Sequence, residues 1–119
     1  MLLLAQAAAS WSWAGPVTPA DRSATGLDDA TRRGSIVYQR YCANCHGVNA
    51  DGQGRAAKLY DPKPANLQAS RVNDAYKELI VRRGGAHVGR SEFMPPWDQE
   101  LTDAETRDVI DYLGTILVK

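Results

Sequence analysis

The sequence predicts an all-α fold in which three or more helices are joined by long loops. Apolar residues recur at helical spacing in three segments, no segment of useful length alternates like a half-buried strand, and there is no internal repeat. Glycine and proline are concentrated between the helical segments. The length of 119 residues is within the usual size of one domain, so we expect a single core.

The N-terminal segment, residues 1–14, is an apolar run too short to cross a bilayer as a helix, which takes about 20 apolar residues. Its small residues near a cleavage point are typical of an export signal. No Lys or Arg precedes the run, so a short retained anchor is the alternative. We expect residues 1–14 to be an export signal or a short anchor, residues 15–27 a linker, and residues 28–119 the folded domain.

The first predicted helix covers Asp28 to Tyr41 and runs directly into Cys42. Asp28 or Asp29 can cap its start, because a carboxylate accepts hydrogen bonds from the free N–H groups of a first turn. An apolar stripe should face the core. It consists of Ile36, Val37, Tyr38 and Tyr41.

A long irregular segment rich in glycine and proline follows, from His46 to Asn73. A loop of this length in a small domain normally has a function, and enclosing a cofactor would be one. A short helix then begins at Asn73 or Asp74 and ends at Gly84 and Gly85.

The last helix is the clearest predicted element. The segment Thr102-Asp103-Ala104-Glu105 has the form of a capping box, in which the first and last side chains satisfy backbone donors of the first turn. Apolar residues at helical spacing then predict a face that packs on another element. They are Val109, Ile110, Leu113, Ile116 and Leu117.

The segment Cys42-Ala43-Asn44-Cys45-His46 is the attachment signature of a c-type haem. Two cysteines three positions apart on a helical turn present both sulfurs to one side, where they can form thioethers with the two haem vinyl groups. The adjacent His46 then faces the iron as an axial ligand. Its second ring nitrogen requires an acceptor, for which we expect the carbonyl of Pro62 or Pro64.

Other interpretations of the two cysteines have less support. A thiol redox motif would follow a strand in a βαβ unit, and no strand is predicted. A zinc site would require a second ligand pair, whereas His87 is the only other histidine and there are no further cysteines. A disulfide would explain neither His46 nor the long loops.

Met94 is the best candidate for the second axial ligand. It lies in Phe93-Met94-Pro95-Pro96-Trp97, where two prolines stiffen the backbone directly after the sulfur-bearing residue. A thioether ligand favours ferrous iron and raises the reduction potential. Two alternatives are that Met94 only fills the core, and that His87 ligates the iron instead.

Gly34, Tyr38 and Cys42 follow one another at intervals of four residues, and Tyr112 lies in the last helix. With the haem motif, this pattern resembles the class I cytochrome c family, and more narrowly its bacterial periplasmic single-haem branch, which includes domains similar to those of cbb3-type oxidases. The resemblance covers residues 28–117 and implies a contact between Gly34 and Tyr112. Further segments match in order and spacing: Gly47 to Gly54, Pro64-Ala65-Asn66-Leu67, Gly84-Gly85 and Met94-Pro95.

An iron with both axial positions filled by protein has no open site for a substrate. The sequence therefore predicts a non-enzymatic, single-electron carrier between redox proteins, exported to the periplasm, with one covalent haem c and no small-molecule substrate. One alternative is an electron-transfer subunit fixed to one dehydrogenase or reductase complex, attached to the membrane through the N-terminus. A second is a haem sensor or peroxidase with an open iron site.

The charges argue against a nucleic-acid partner, because fourteen basic and fourteen acidic residues cancel. The net charge is −2 over residues 1–30, +7 over residues 31–90 and −5 over residues 91–119. These are either ordinary solvated faces or a dipole that orients the molecule towards a charged partner. The basic residues expected around the haem edge are Lys58, Lys63, Arg82, Arg83 and Arg90.

Overall fold

The computed structural model describes Gly15 and residues 29–119, so the predicted export signal and nearly all of the linker lie outside the described residues. Within residues 29–119 there are α-helices and short 3₁₀ helices but no β-strand, which confirms the predicted all-α fold. The α-helices are α1 (Asp29–Tyr41), α2 (Ala43–His46), α3 (Asp74–Arg83) and α4 (Asp103–Thr115). The 3₁₀ helices are Ala57–Leu59, Leu67–Ala69 and Ala86–Val88.

Helices α1 and α4 pack closely because Gly34 removes a side chain at their crossing. A Cβ atom on Gly34 would lie 2.9 Å from the Cβ of Tyr112 and would overlap the backbone carbonyl of Asp108. The contact between Gly34 and Tyr112 that the resemblance implied is thus present. One turn further along α1, the rings of Tyr38 and Tyr112 pack with their centroids 5.4 Å apart.

An ion pair adds a second link between α1 and α4. Arg33 donates from Nε to Asp108 Oδ2 at 2.8 Å and from a terminal nitrogen to Oδ1 at 3.1 Å. The Asp108 side chain is only 11% exposed, so its two-bond pairing with a guanidinium compensates a largely buried carboxylate.

The core lies between α1, α3 and α4. Its buried apolar residues include Val37 and Tyr38 from α1, Val81 from α3, and Val109, Ile110 and Leu113 from α4. The predicted stripe of α1 is wrong at one position, since Ile36 is 64% exposed. Residues 34, 37, 38 and 41 follow the helical repeat towards the core, and Ile36 is rotated away from that face.

Both predicted helix starts in the second half of the chain are confirmed. The Asn73 side chain accepts a hydrogen bond from the Tyr76 N–H at 2.9 Å. Thr102 Oγ1 accepts from the Glu105 N–H at 3.1 Å, and a Glu105 carboxylate oxygen accepts from the Thr102 N–H at 2.8 Å, which completes the capping box. Helix α4 ends at Thr115, before the last two apolar residues of the predicted face.

The segment between His46 and Asn73 is held by hydrogen bonds despite its lack of long helices. The Tyr38 hydroxyl donates to the Gly47 carbonyl at 2.6 Å, and the Leu67 N–H donates to the Ala50 carbonyl at 2.8 Å. This segment therefore has a defined path over one side of the core.

In the part of the chain that the structure describes, no helix has the length and apolar character needed to cross a membrane.

Candidate functional site

All four predicted site residues, Cys42, Cys45, His46 and Met94, line one cavity of about 430 Å³. This volume is within the range of sites that bind cofactors and other small molecules. Helix α3 contributes Lys77, Ile80 and Val81, and α4 contributes Val109 and Leu113. The structure thus brings together residues that are up to 52 positions apart in the sequence, two thiols and an imidazole from one segment and a thioether from another.

The cysteines lie on the helical turn that the spacing predicts. The Cys42 N–H donates to the Tyr38 carbonyl at 2.8 Å, so the turn continues from α1, and the His46 N–H donates to the Cys42 carbonyl at 2.9 Å. Both thiols are free and half-buried. Burial raises the pKa of the Cys42 thiol to about 12, and the nearby Cys45 adds to this rise. Cys42 is therefore protonated at neutral pH, unlike the thiolate of a disulfide oxidoreductase.

His46 is oriented by the carbonyl of Ala65, to which its Nδ1 lies at 2.9 Å. The expected acceptors, Pro62 and Pro64, are wrong. Both line the cavity, but the carbonyl within hydrogen-bond distance of Nδ1 is that of Ala65, the residue after Pro64. Because a carbonyl only accepts, Nδ1 carries the proton and Nε2 keeps the lone pair that a metal requires. Burial lowers the pKa of His46 and the Ala65 hydrogen bond partly opposes this, so the ring is neutral at neutral pH.

Met94 is held through its backbone against the end of α3. The Gly85 N–H donates to the Met94 carbonyl at 2.9 Å, and the Trp97 N–H donates to the Val81 carbonyl at 2.9 Å. A Cβ on Gly84 would lie 2.9 Å from the Met94 carbonyl oxygen. Gly84 and Gly85 end the helix, as predicted. They also allow the segment around Met94 to approach α3 closely.

Two aromatic pairs join segments that are distant in the sequence. The rings of Tyr41 and Trp97 meet edge to face with centroids 5.4 Å apart, and those of Tyr60 and Phe93 pack at 5.2 Å. All four rings line the cavity. Each pair links the cysteine-bearing half of the wall to the segment around Met94.

His87 does not belong to the site. It lies in the 3₁₀ helix Ala86–Val88, is exposed, and is not among the lining residues. This placement disfavours His87 as an axial ligand. No cluster of three or more His, Cys, Asp or Glu residues that could hold a metal ion is found within the described part of the chain, so the zinc alternative has no ligand set there.

The basic residues predicted around the haem edge differ in where the structure places them relative to the cavity. Lys63 and Arg90 line the cavity, whereas Lys58 and Arg83 are exposed outside the lining. Arg82 pairs with Glu78 at 2.7 Å and with Asp103, and these hydrogen bonds raise the pKa of the Arg82 guanidinium. Its charge is thus already compensated within the protein.

Lys77 is a lining residue that was not among those predicted from the sequence. It is only 7% exposed. Its position three and four residues before Ile80 and Val81 places it on the same face of α3, which is the signal that could have found it. A lysine is usually taken to be solvated, so that signal is easily overlooked.

Residues 29–113 match the protein family described as cytochrome C oxidase, cbb3-type, subunit III. The chain is 29% identical over 87 residues to the cbb3-type cytochrome c oxidase subunit CcoP of Azospirillum brasilense, a match that covers 73% of this chain and 28% of that protein. It is 28% identical over 89 residues to cytochrome c-554(547) of Halothiobacillus neapolitanus, which covers 70% of this chain and 92% of that protein.

A similar solved structure is a chain of the reducing HAO-like protein complex of Kuenenia stuttgartiensis, with a TM-score of 0.60 and 27% identity over 71% of this chain and 41% of that one. This chain thus spans less than half of that chain and under a third of the CcoP relative. The family match covers most of the described residues and includes the haem motif and Met94. The chain therefore belongs to the cbb3-type cytochrome c oxidase subunit III family and is a class I c-type cytochrome.

Proposed function

We propose that this chain transfers single electrons between redox proteins through one haem c, held covalently by Cys42 and Cys45 and ligated by His46 and Met94. The cavity shared by these four residues is the observation that carries the proposal. Their donor set fits the group, since two thiols stand beside a neutral imidazole and a thioether completes the lining. When bound, the haem would supply reversible one-electron chemistry at its iron.

The surrounding residues have supporting roles in this proposal. The Ala65 carbonyl fixes which nitrogen of His46 is available to the metal. The contacts of Gly84 and Gly85 fix the Met94 backbone, from which the flexible thioether side chain extends. The aromatic pairs line the cavity wall, and with haem bound their rings would leave less room for water, which would strengthen the electrostatic interactions inside the site.

A non-enzymatic role follows from the same ligand set. If both His46 and Met94 ligated the haem iron, no coordination position would remain for a substrate or a gas. The sensor or peroxidase alternative would require an open position and a nearby acid-base group, and His87 lies outside the lining.

The alternative of a subunit fixed to one complex has a specific observation in its favour. The CcoP relative is named as a subunit of an oxidase, and the similar solved chain belongs to a protein complex. Cytochrome c-554(547), by contrast, matches over 92% of its own length. Purification of the intact chain from its native host separates the two cases. A free carrier elutes alone at its own mass, whereas a subunit remains with its complex through a high-salt wash.

We also propose that the protein is exported to the periplasm, with residues 1–14 as the signal or anchor and residues 28–119 as the haem domain. Cell fractionation followed by mass measurement of the mature N-terminus tests both points. Recovery of the haem-loaded chain from the cytoplasm would contradict the proposed location.

The ligand assignment is tested by the optical spectrum of the holoprotein. We expect a weak far-red band from sulfur-to-iron coordination, which should disappear in Met94→Ala and remain in His87→Ala. Carbon monoxide should bind reduced Met94→Ala but not the reduced wild type. If the wild type lacks the band and binds carbon monoxide, the carrier assignment is wrong and the open-site alternative takes its place.

A further inference from the structure

Lys77 is one of the residues that line the cavity, and the lining is otherwise mostly apolar. It contributes to the wall from α3 and is 7% exposed. Two other cations line the cavity, Lys63 and Arg90, but both are exposed. Among the cations in the described lining, Lys77 is thus the one that is buried.

The ion pair recorded for Lys77 is long, and its partner is exposed. Its Nζ lies 3.9 Å from Asp74 Oδ1, and the Asp74 side chain is 74% exposed. An ion pair this long to a solvated carboxylate contributes little, because water screens it. Because the Lys77 side chain as a whole is only 8% exposed, an anionic group inside the cavity would give its ammonium a closer and less screened partner than Asp74.

We propose that Lys77 binds a carboxylate of the haem and thereby raises the reduction potential. The inference rests on the proposed function, because it requires haem in the cavity. Haem is a largely apolar ring that carries two carboxylates. A mostly apolar cavity with one buried cation in its wall matches both parts of that chemistry.

The effect on the potential follows from the charges. The reduced haem carries one positive charge fewer than the oxidised haem, and a nearby carboxylate therefore favours the oxidised state. A cation paired with that carboxylate cancels most of its field, and the effect is large where burial limits screening. Loss of the Lys77 charge should consequently shift the equilibrium towards the oxidised state.

In a competing arrangement, the haem carboxylate is not paired with Lys77. Lys77 would bury only its methylene groups and direct Nζ to solvent beside Asp74. Its charge would then be screened, and its removal should resemble the removal of an exposed lysine. Lys58 provides that reference, because it is exposed and outside the cavity lining.

The test is a potentiometric titration of the holoproteins of wild type, Lys77→Met, Lys77→Arg and Lys58→Met. Lys77→Met keeps the length of the side chain and removes the charge. We expect it to shift the equilibrium with a fixed reference couple by at least tenfold towards oxidation, which is about 59 mV for one electron. Lys58→Met should shift it less than twofold, and Lys77→Arg should restore most of the wild-type value.

A second readout reports on the carboxylate itself. In infrared difference spectra between the two redox states, taken with carboxylate-labelled haem, the labelled band should change in Lys77→Met and be retained in Lys58→Met. Should Lys77→Met fail to fold, Lys77→Gln replaces it with the same expectations.

A potential within twofold of wild type, a shift equal to that of Lys58→Met, or an unchanged carboxylate band would overturn the role of Lys77. A wild-type chain that takes up no haem would instead overturn the proposed function. The wild-type spectrum, recorded first, therefore distinguishes the two failures.

Discussion

The two sides of the cavity are positioned by different kinds of contact. On the cysteine side, Tyr38 to His46 with Ala65, most positioning bonds join residues close in the sequence, such as the Cys42 N–H to the Tyr38 carbonyl. On the methionine side, Gly84 to Trp97 with the end of α3, the backbone of one segment lies against another, as in the bond from the Trp97 N–H to the Val81 carbonyl. The residues of the cysteine side are thus positioned by a helix. Those of the methionine side are positioned by the close approach of two backbone segments at glycines.

This difference predicts that substitutions on the two sides of the cavity will have different effects. Damage to the cysteine side should act through α1 and its packing on α4, and therefore on the stability of the whole domain. Damage to the methionine side should release Met94 while the helices remain packed, because α1 and α4 do not depend on that segment for their contact. Substitutions at the glycines separate the two.

The largest expected effect is that of Gly34→Ala. Its new methyl group would overlap the Asp108 carbonyl on α4, and neither helix backbone can shift without disturbing the core. We expect a loss of about 2 to 3 kcal/mol in the free energy of unfolding, from overpacking. Denaturant unfolding of the holoprotein measures it.

Gly114→Ala is the matched control for Gly34→Ala. Gly114 is also in a helix, α4, but a Cβ there meets nothing within 4 Å. This variant should be neutral or more stable by up to about 1 kcal/mol, since alanine favours helix. Equal losses in the two variants would show that the α1 to α4 contact is not what limits stability.

Gly84→Ala should act on the methionine side. Gly84 has φ 82° and ψ 166°, a region that costs other residues about 1 to 3 kcal/mol, and its Cβ would press on the Met94 carbonyl. We expect the far-red band to weaken and carbon monoxide to bind the reduced form, with a smaller loss of stability than in Gly34→Ala. Spectra and denaturation of the same sample check both.

Gly89→Ala is the control for Gly84→Ala. Gly89 also has a positive φ, 72°, but its surroundings are open. It should lose about 1 kcal/mol and keep the far-red band. Loss of the band in both variants would mean that backbone strain alone, rather than contact with Met94, releases the ligand.

The same contrast explains what the sequence could and could not predict. The turn from Cys42 to His46 and the capping box at Thr102 depend on residues within a few positions of one another. Their sequence patterns were therefore sufficient to predict them. The Ala65 carbonyl could not be chosen over its neighbours, because the path of a long loop decides which carbonyl faces His46. Lys77 was missed for a related reason: its burial depends on elements that are distant in the sequence.

A smaller effect is expected from Tyr38→Phe, which tests a side-chain bond on the cysteine side. The buried Tyr38 hydroxyl donates to the Gly47 carbonyl, and that carbonyl keeps a second bond from the Ala50 N–H at 3.0 Å. We expect a loss of about 1 kcal/mol in stability, with the far-red band unchanged. Tyr112→Phe, which removes the hydroxyl from the adjoining half-buried ring, should cost less. A loss of the band in Tyr38→Phe would show that the two sides are coupled.

The smallest expected effect concerns two exposed cations that line the cavity, Lys63 and Arg90. Positive charge at a cavity mouth attracts anions and speeds their encounter, and salt screens the attraction. With a small anionic one-electron oxidant, Lys63→Gln and Arg90→Gln should each slow oxidation about twofold at low salt, and Lys58→Gln should slow it less. Stopped-flow measurements at rising ionic strength should show the wild-type rate falling towards those of the variants. Equal rates for all four proteins at low salt would mean that electrons leave by a route away from this rim.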